Sequence, residues 1–277
     1  VSDTLLTGPG WPNFVNIEKT IKDFNPNVVE GYNATELPGF EKITKPKCIR
    51  FNEMYNIRKV TEEINFIKPD LIIAHHANDI PNFEGKVKCN PKFVNISHCA
   101  EKTIFKNYNL EKRYDIIIAG VLSSTYPFRI RLARLIKENL SKRWKCLVPR
   151  HPGYNVNEAD KNYAAIEFSK LINSSKITLT CSSKYKYRLA KYVEIPASRS
   201  LLAGDLPDDQ KKYFSKFMLV LNPEDSDKTI IEKIEYYLKN DKEREDLTQL
   251  GYELTLKNST QEQYASEFLS ATKCFDN

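Results

Sequence analysis

Three stretches in the second half of the chain place hydroxyls and cations where a strand should give way to a helix. Gly120-Val121-Leu122-Ser123-Ser124-Thr125-Tyr126-Pro127-Phe128-Arg129 offers a glycine, hydroxyl side chains and an arginine. Free N–H groups and the helix dipole favour an anion at such a helix start. Val148-Pro149-Arg150-His151-Pro152-Gly153-Tyr154 adds another cation, and Thr180-Cys181-Ser182-Ser183-Lys184-Tyr185-Lys186-Tyr187-Arg188 repeats the mixture. A nucleotide diphosphate is the most economical ligand for such loops. Its candidate contacts are Gly120, Ser123, Ser124, Arg129, Arg150, His151, Ser182, Ser183, Lys184 and Arg188. Shortly after them comes Glu194, a carboxylate suited either to pairing with Arg188 or Lys191 or to accepting hydrogen bonds from a ribose diol. The loops lack G-x-G-x-x-G, which disfavours a dinucleotide dehydrogenase.

The first half carries candidates for an acceptor and for proton transfer. His75-His76-Ala77-Asn78-Asp79 follows an apolar, strand-like run. Adjacent histidines alternate faces on a strand, so one of them as general base competes with a satisfied structural histidine. With Glu53 added, His75, His76, Asp79 and Glu53 form an unranked set of candidate bases. Gly8-Pro9-Gly10-Trp11-Pro12 lets the backbone approach a ligand at Gly10 and offers Trp11 as a flat stacking face; the competing reading is a plain tight turn. His98 is a further acceptor-side candidate. The histidines and cysteines show no metal-ligand spacing, so neither a metal nor another cofactor is expected.

The elements that must position these residues read as two series of strands and helices. Leu5–Thr7, Asn27–Val29, Cys48–Phe51, Leu71–Ala74 and Phe93–Ile96 are strand-like, and Asn56–Ile67 is helical. Asp115–Ala119, Cys146–Val148, Ile177–Thr180, Leu201–Ala203 and Met218–Leu221 form the second strand series. Its helices are marked by Phe128, Leu132, Leu135 and Ile136, then by Ala164, Ala165, Phe168, Leu171 and Ile172. Ile230–Leu238, Arg244–Leu256 and Gln261–Leu269 complete the tail. Short, nearly continuous apolar strands divided by helices indicate parallel sheets covered on both faces. The fold class is therefore α/β, with two Rossmann-like βαβ domains whose parallel sheets face each other across a cleft. Residues 1–110 and 111–258 form the two domains, Asn107–Lys112 is the hinge, and 259–277 is a helix crossing back. One continuous sheet is the competing architecture.

Composition limits the function classes. The chain of 277 residues is 41% hydrophobic and 28% charged, an ordinary globular balance. Net charge is +6, with the basic residues dispersed rather than gathered on one tail, which argues against a nucleic-acid partner. No apolar run approaches the ~20 residues of a membrane span. Six scattered cysteines without a C-x-x-C pair read as free thiols, favouring a reducing, cytoplasmic setting.

At these residues the second half resembles the C-terminal domain of GT-B glycosyltransferases, closest to the spore-maturation-type group, with a fainter likeness to exostosin-type enzymes. The matching pieces are Tyr114–Gly120, Tyr126–Arg129, Ser175–Ile177, Arg188–Gly204 and Gly251-Tyr252. Lys68–Leu71 and Ser97–Glu101 match more loosely. The resemblance implies a metal-independent transfer of a sugar from a UDP- or GDP-sugar to a glycan hydroxyl. It also implies that Glu194 holds the donor ribose while Ser182, Ser183, Lys184 and Arg188 hold the diphosphate. Two departures stand out: Lys186 occupies the place of a second glutamate, and Arg199 replaces a glycine. Rival readings are a non-catalytic nucleotide or sugar binder, and a nucleic-acid binder using Lys184–Arg188.

Overall fold

In the computed structural model, which describes residues 17–32, 34–37, 39–149 and 158–275, the strands assort into two separate parallel sheets rather than one. The strand expected at Leu5–Thr7 and the candidates Gly10, Trp11, Arg150 and His151 lie outside the described residues. Residues up to Ser97, with those from Ala265 onward, group into one compact unit, and His98–Tyr264 form the other.

The first unit contains α1 (Ile17–Phe24), β1 (Val29–Tyr32), β2 (Lys47–Phe51), α2 (Ile57–Ile67), β3 (Leu71–Ala74) and β4 (Lys92–Asn95). Its sheet runs β1-β2-β3-β4, all parallel. Asn56 starts α2 by accepting the Lys59 N–H at 3.2 Å, a side-chain N-cap. Val60, Ile64 and Ile67 recur on one face of α2 and bury against Ile49, Phe51 and Ile72. The first described strand lies later than the Asn27–Val29 expected. Glu30 and Gly31 break the apolar run, yet Glu30 is matched across the strands by Arg50 at 3.3 Å. Gly31 leaves room for the Phe40 ring, which an added Cβ would meet at 2.9 Å.

The second unit contains β5 (Tyr114–Ile118), α3 (Pro127–Glu138), β6 (Cys146–Leu147), α4 (Glu158–Asn173), β7 (Ser175–Leu179), α5 (Lys191–Ala197), β8 (Leu201–Gly204), α6 (Lys211–Phe214), β9 (Leu219–Val220), α7 (Asp227–Lys239) and α8 (Asp241–Asn258). In the last helix, α9 (Gln261–Thr272), residues to Tyr264 group with this unit and those from Ala265 with the first. The sheet order is β6-β5-β7-β8-β9, all parallel. Strand alternation splits the core cleanly. Ile116, Ile118, Ile177 and Leu179 face Leu132 and Leu135 of α3 and Ile230 and Ile234 of α7. Ile117, Ala119 and Leu202 face Ile172 of α4, Tyr192 and Ile195 of α5, and Phe214 of α6.

The Asn107–Lys112 stretch, read from the sequence as a hinge, is tied into this second unit. The Leu110 N–H donates to Asn173 Oδ1 at 3.1 Å, and Lys112 Nζ donates to the carbonyls of Asn173 at 2.7 Å and Arg199 at 2.5 Å. Burial pulls the Lys112 ammonium from 10.5 down to about 8; Arg199 and Arg244 add to the effect, and Glu245 opposes it. Below pH 8 the folded state bears the full cost of the charge. Between about 8 and 10.5 it releases the proton while the unfolded chain still holds it, so stability rises with pH. Lys112→Met should abolish that gain. Denaturation across this window is expected to show wild type gaining on the variant as pH rises, and a constant difference would contradict the assignment.

Candidate functional site

The order β6-β5-β7-β8-β9 reverses direction between β5 and β7, and doubly wound sheets bind ligands at the carboxyl ends of the strands flanking such a switch point. The two described hydroxyl-and-cation loops leave those two strands. They are joined directly: the Lys184 N–H donates to the Thr125 carbonyl at 2.9 Å. Ser123 is half-buried and Ser124 exposed on the first loop, and Lys184 is exposed on the second. Helix α3 begins with Pro127 at its first position, and its N-cap residue Tyr126 makes no side-chain cap.

Arg129 stands elsewhere than the anion-contact reading expects. It is fully buried, with Nη1 on the Val121 carbonyl at 2.9 Å and Nη2 on Thr180 Oγ1 at 3.2 Å and the Cys181 carbonyl at 3.4 Å. Its guanidinium lies 4.1 Å from the Tyr126 ring centroid. The side chain thus clamps the β5 and β7 loops together from beneath. Gly120, at φ 105, makes room for it, because an added Cβ would sit 2.5 Å from Arg129 Nη1.

Arg188 is likewise buried. Its Nη1 donates to the His98 carbonyl at 2.7 Å and its Nη2 to Ser259 Oγ at 3.1 Å, beside the Phe214 ring. These bonds fasten the entry to the unit to the segment before α9. His98 contributes its main-chain oxygen to this bond. Both arginines thus bond main-chain and hydroxyl oxygens inside this unit, a placement that residue type alone does not carry.

The carboxylate gathered at this edge is Asp205, which the sequence reading left without a role. It is buried at the end of β8 and accepts the Ser182 N–H at 2.9 Å, Ser182 Oγ at 2.5 Å and Lys186 Nζ at 3.0 Å. Tyr192 holds the Asp205 carbonyl from α5 at 2.5 Å. Both Ser182 donors therefore go to Asp205, and Ser183 Oγ accepts the Tyr185 N–H at 3.1 Å. An aspartate directly after an apolar strand that ends in glycine was the available signal. Glu194 lies on α5, half-buried, with its carboxylate on the Lys191 ammonium one turn earlier. Arg199 takes the left-handed φ 57 just after α5, a conformation that glycine usually supplies at a helix end.

In the first unit, the four candidate bases sit after β2 and β3. Asp79 is buried and accepts the Met54 N–H at 3.0 Å, His75 Nδ1 lies 3.2 Å from Asn52 Oδ1, and His76 is buried. Burial and the neighbouring Asp79 charge raise the Glu53 carboxyl above its ordinary value. Among the described residues no group of three or more His, Cys, Asp or Glu side chains is arranged to hold a metal ion. Among the same residues no helix is long and apolar enough to cross a membrane.

Comparison with known proteins defines the class. Residues 99–270, well over half of the chain, match the family described as glycosyl transferase-like. The chain belongs to this family. Its fold is the α/β GT-B type, shared with pneumococcal O-GlcNAc transferase GtfA in complex with UDP and GlcNAc. That pair gives a TM-score of 0.60 at 11% identity over 94% of this chain and 60% of GtfA. TarM of S. aureus, in a complex that includes UDP, gives 0.64 at 12% over 92% of this chain and 58% of TarM. Anabaena HepE in complex with UDP and glucose gives 0.62 at 8% over 92% and 81%. The chain thus spans about three-fifths of the length of GtfA and TarM. No curated protein matches.

Proposed function

We propose that this chain moves a sugar from a nucleotide-diphosphate sugar, with UDP or GDP as the nucleotide, to a hydroxyl of a glycan or other acceptor without a metal. The observation carrying this reading is the junction of the Gly120–Thr125 and Thr180–Arg188 loops at the β5/β7 edge, in a family of glycosyl transferases. The UDP present in the GtfA, TarM and HepE structures supports the nucleotide. In the reaction, the C1–O bond to the β-phosphate breaks and its electron pair leaves on the phosphate oxygen. The acceptor oxygen bonds C1 and its proton passes to a base, for which Glu53, His75, His76 and Asp79 are the candidates. All six cysteines are free thiols, in keeping with a reducing compartment such as the cytoplasm.

Glu194 is the test residue, as the proposed holder of the donor ribose. Glu194→Ala should weaken UDP binding by about 1.5–3 kcal/mol, as for hydrogen bonds to a charged group. The fold should persist, since only the partly exposed Lys191 loses a partner. Titration with UDP and its 2′,3′-dideoxy analogue, in the presence of a chelator, reads the effect. Wild type should prefer UDP and the variant should not; equal discrimination by both proteins would place the ribose elsewhere.

A further inference from the structure

We infer that Lys186 is the cation that takes the charge of a bound diphosphate at the β5/β7 edge, an inference that rests on the nucleotide-sugar reading above. Arg129 and Arg188 are buried and hold main-chain and hydroxyl oxygens inside the unit. The loop also spends its own amides internally. The N–H groups of Ser182, Lys184, Tyr185, Lys186 and Tyr187 donate to Asp205, Thr125, Ser183 Oγ, the Ser183 carbonyl and the Ser182 carbonyl. Among the described residues of these two loops, positive charge for an incoming anion is therefore left to lysine side chains.

Of these, Lys184 is exposed and lies 5.1 Å from the Tyr185 ring centroid, whereas Lys186 is built into the loop. Its backbone takes the left-handed φ 57, and its carbonyl accepts the Asp208 N–H at 2.9 Å. A lysine in this conformation is held against its own preference, as happens where a side chain must point one way. Its side chain is 43% exposed while the partner Asp205 is only 5% exposed. An ammonium carries three donors, and the carboxylate, which also grips Ser182, accepts one of them. Asp205 thus anchors the head group from the inner side, and the outer side faces solvent. A preoriented cation of this kind stabilises negative charge as it accumulates on a departing diphosphate.

The experiment is calorimetric titration of wild type, Lys186→Met and Lys186→Arg with UDP and with uridine, and of wild type with GDP as well. Wild type should prefer UDP strongly. Lys186→Met should lose about ten- to a hundred-fold of that preference, with uridine affinity unchanged, and Lys186→Arg should recover most of it. An undiminished preference in Lys186→Met overturns the assignment while leaving the nucleotide reading intact. A wild type that binds neither UDP nor GDP overturns the nucleotide reading, and the inference with it. Should Lys186→Met not fold, Lys186→Gln, which can still donate to Asp205, is read by the same ratio.

Discussion

Replacing Arg129 with methionine is expected to lower the stability of the second unit by about 3–5 kcal/mol. Methionine fills much of the same volume but donates nothing. The Val121 carbonyl, Thr180 Oγ1 and the Cys181 carbonyl would then lose their shared donor in a buried setting. Each lost bond to a charged donor is worth roughly 1.5–3 kcal/mol, and the effects overlap because one guanidinium serves all three. The β5 and β7 loops should also part, so UDP binding should weaken along with stability. Denaturant unfolding and UDP titration on the same variant separate this from the ligand-contact reading. A variant with unchanged unfolding but lost UDP binding would return Arg129 to the diphosphate and undo its role as a clamp.

The legible parts of the fold were those where burial on both faces leaves a long apolar run. Ile116–Ile118 and Leu71–Ile73 are fully buried, and short β-branched runs of this kind between helices suit a parallel strand covered on both faces. β1 was shifted in the reading because Glu30 needs Arg50, a partner 20 residues away, before it reads as a strand residue. α5 stands where the Thr180–Arg188 stretch was expected to enter a helix, although it is short and contains Pro196. At the candidate site, residue type pointed to two loops that the fold places at the strand ends beside the switch point, where hydroxyls and glycine cluster. It did not mark which cations face outward. Arg129 and Arg188 carry the chemistry of phosphate-binding cations, and only the fold shows that they bond protein carbonyls and lie buried. Asp205 escaped notice for the converse reason: its partners, Ser182 and Lys186, lie 23 and 19 residues earlier in the chain.

Asp205 owes its position to the residue before it, and that gives the other large effect. Gly204→Ala is expected to lower the melting temperature by roughly 6–12 °C, from an overpacking cost of about 3 kcal/mol. An added Cβ at Gly204 would stand 2.5 Å from the Thr180 carbonyl oxygen and 3.1 Å from its carbon. Both atoms belong to the main chain, so no side-chain rotation relieves the clash. β8 cannot slide away freely either. The Ala203 carbonyl accepts the Thr180 N–H at 2.9 Å on one side, and the Gly204 carbonyl accepts the Leu221 N–H at 2.9 Å on the other. Any shift that admits the methyl group must lengthen these bonds and carry Asp205 away from Ser182 and Lys186. The variant should therefore lose UDP affinity even at temperatures where it remains folded. Thermal unfolding gives the first effect and titration well below the midpoint gives the second. An alanine variant that melts within a degree of wild type would show that the strands yield cheaply, and that close approach of β8 to the Thr180 carbonyl does not hold the site.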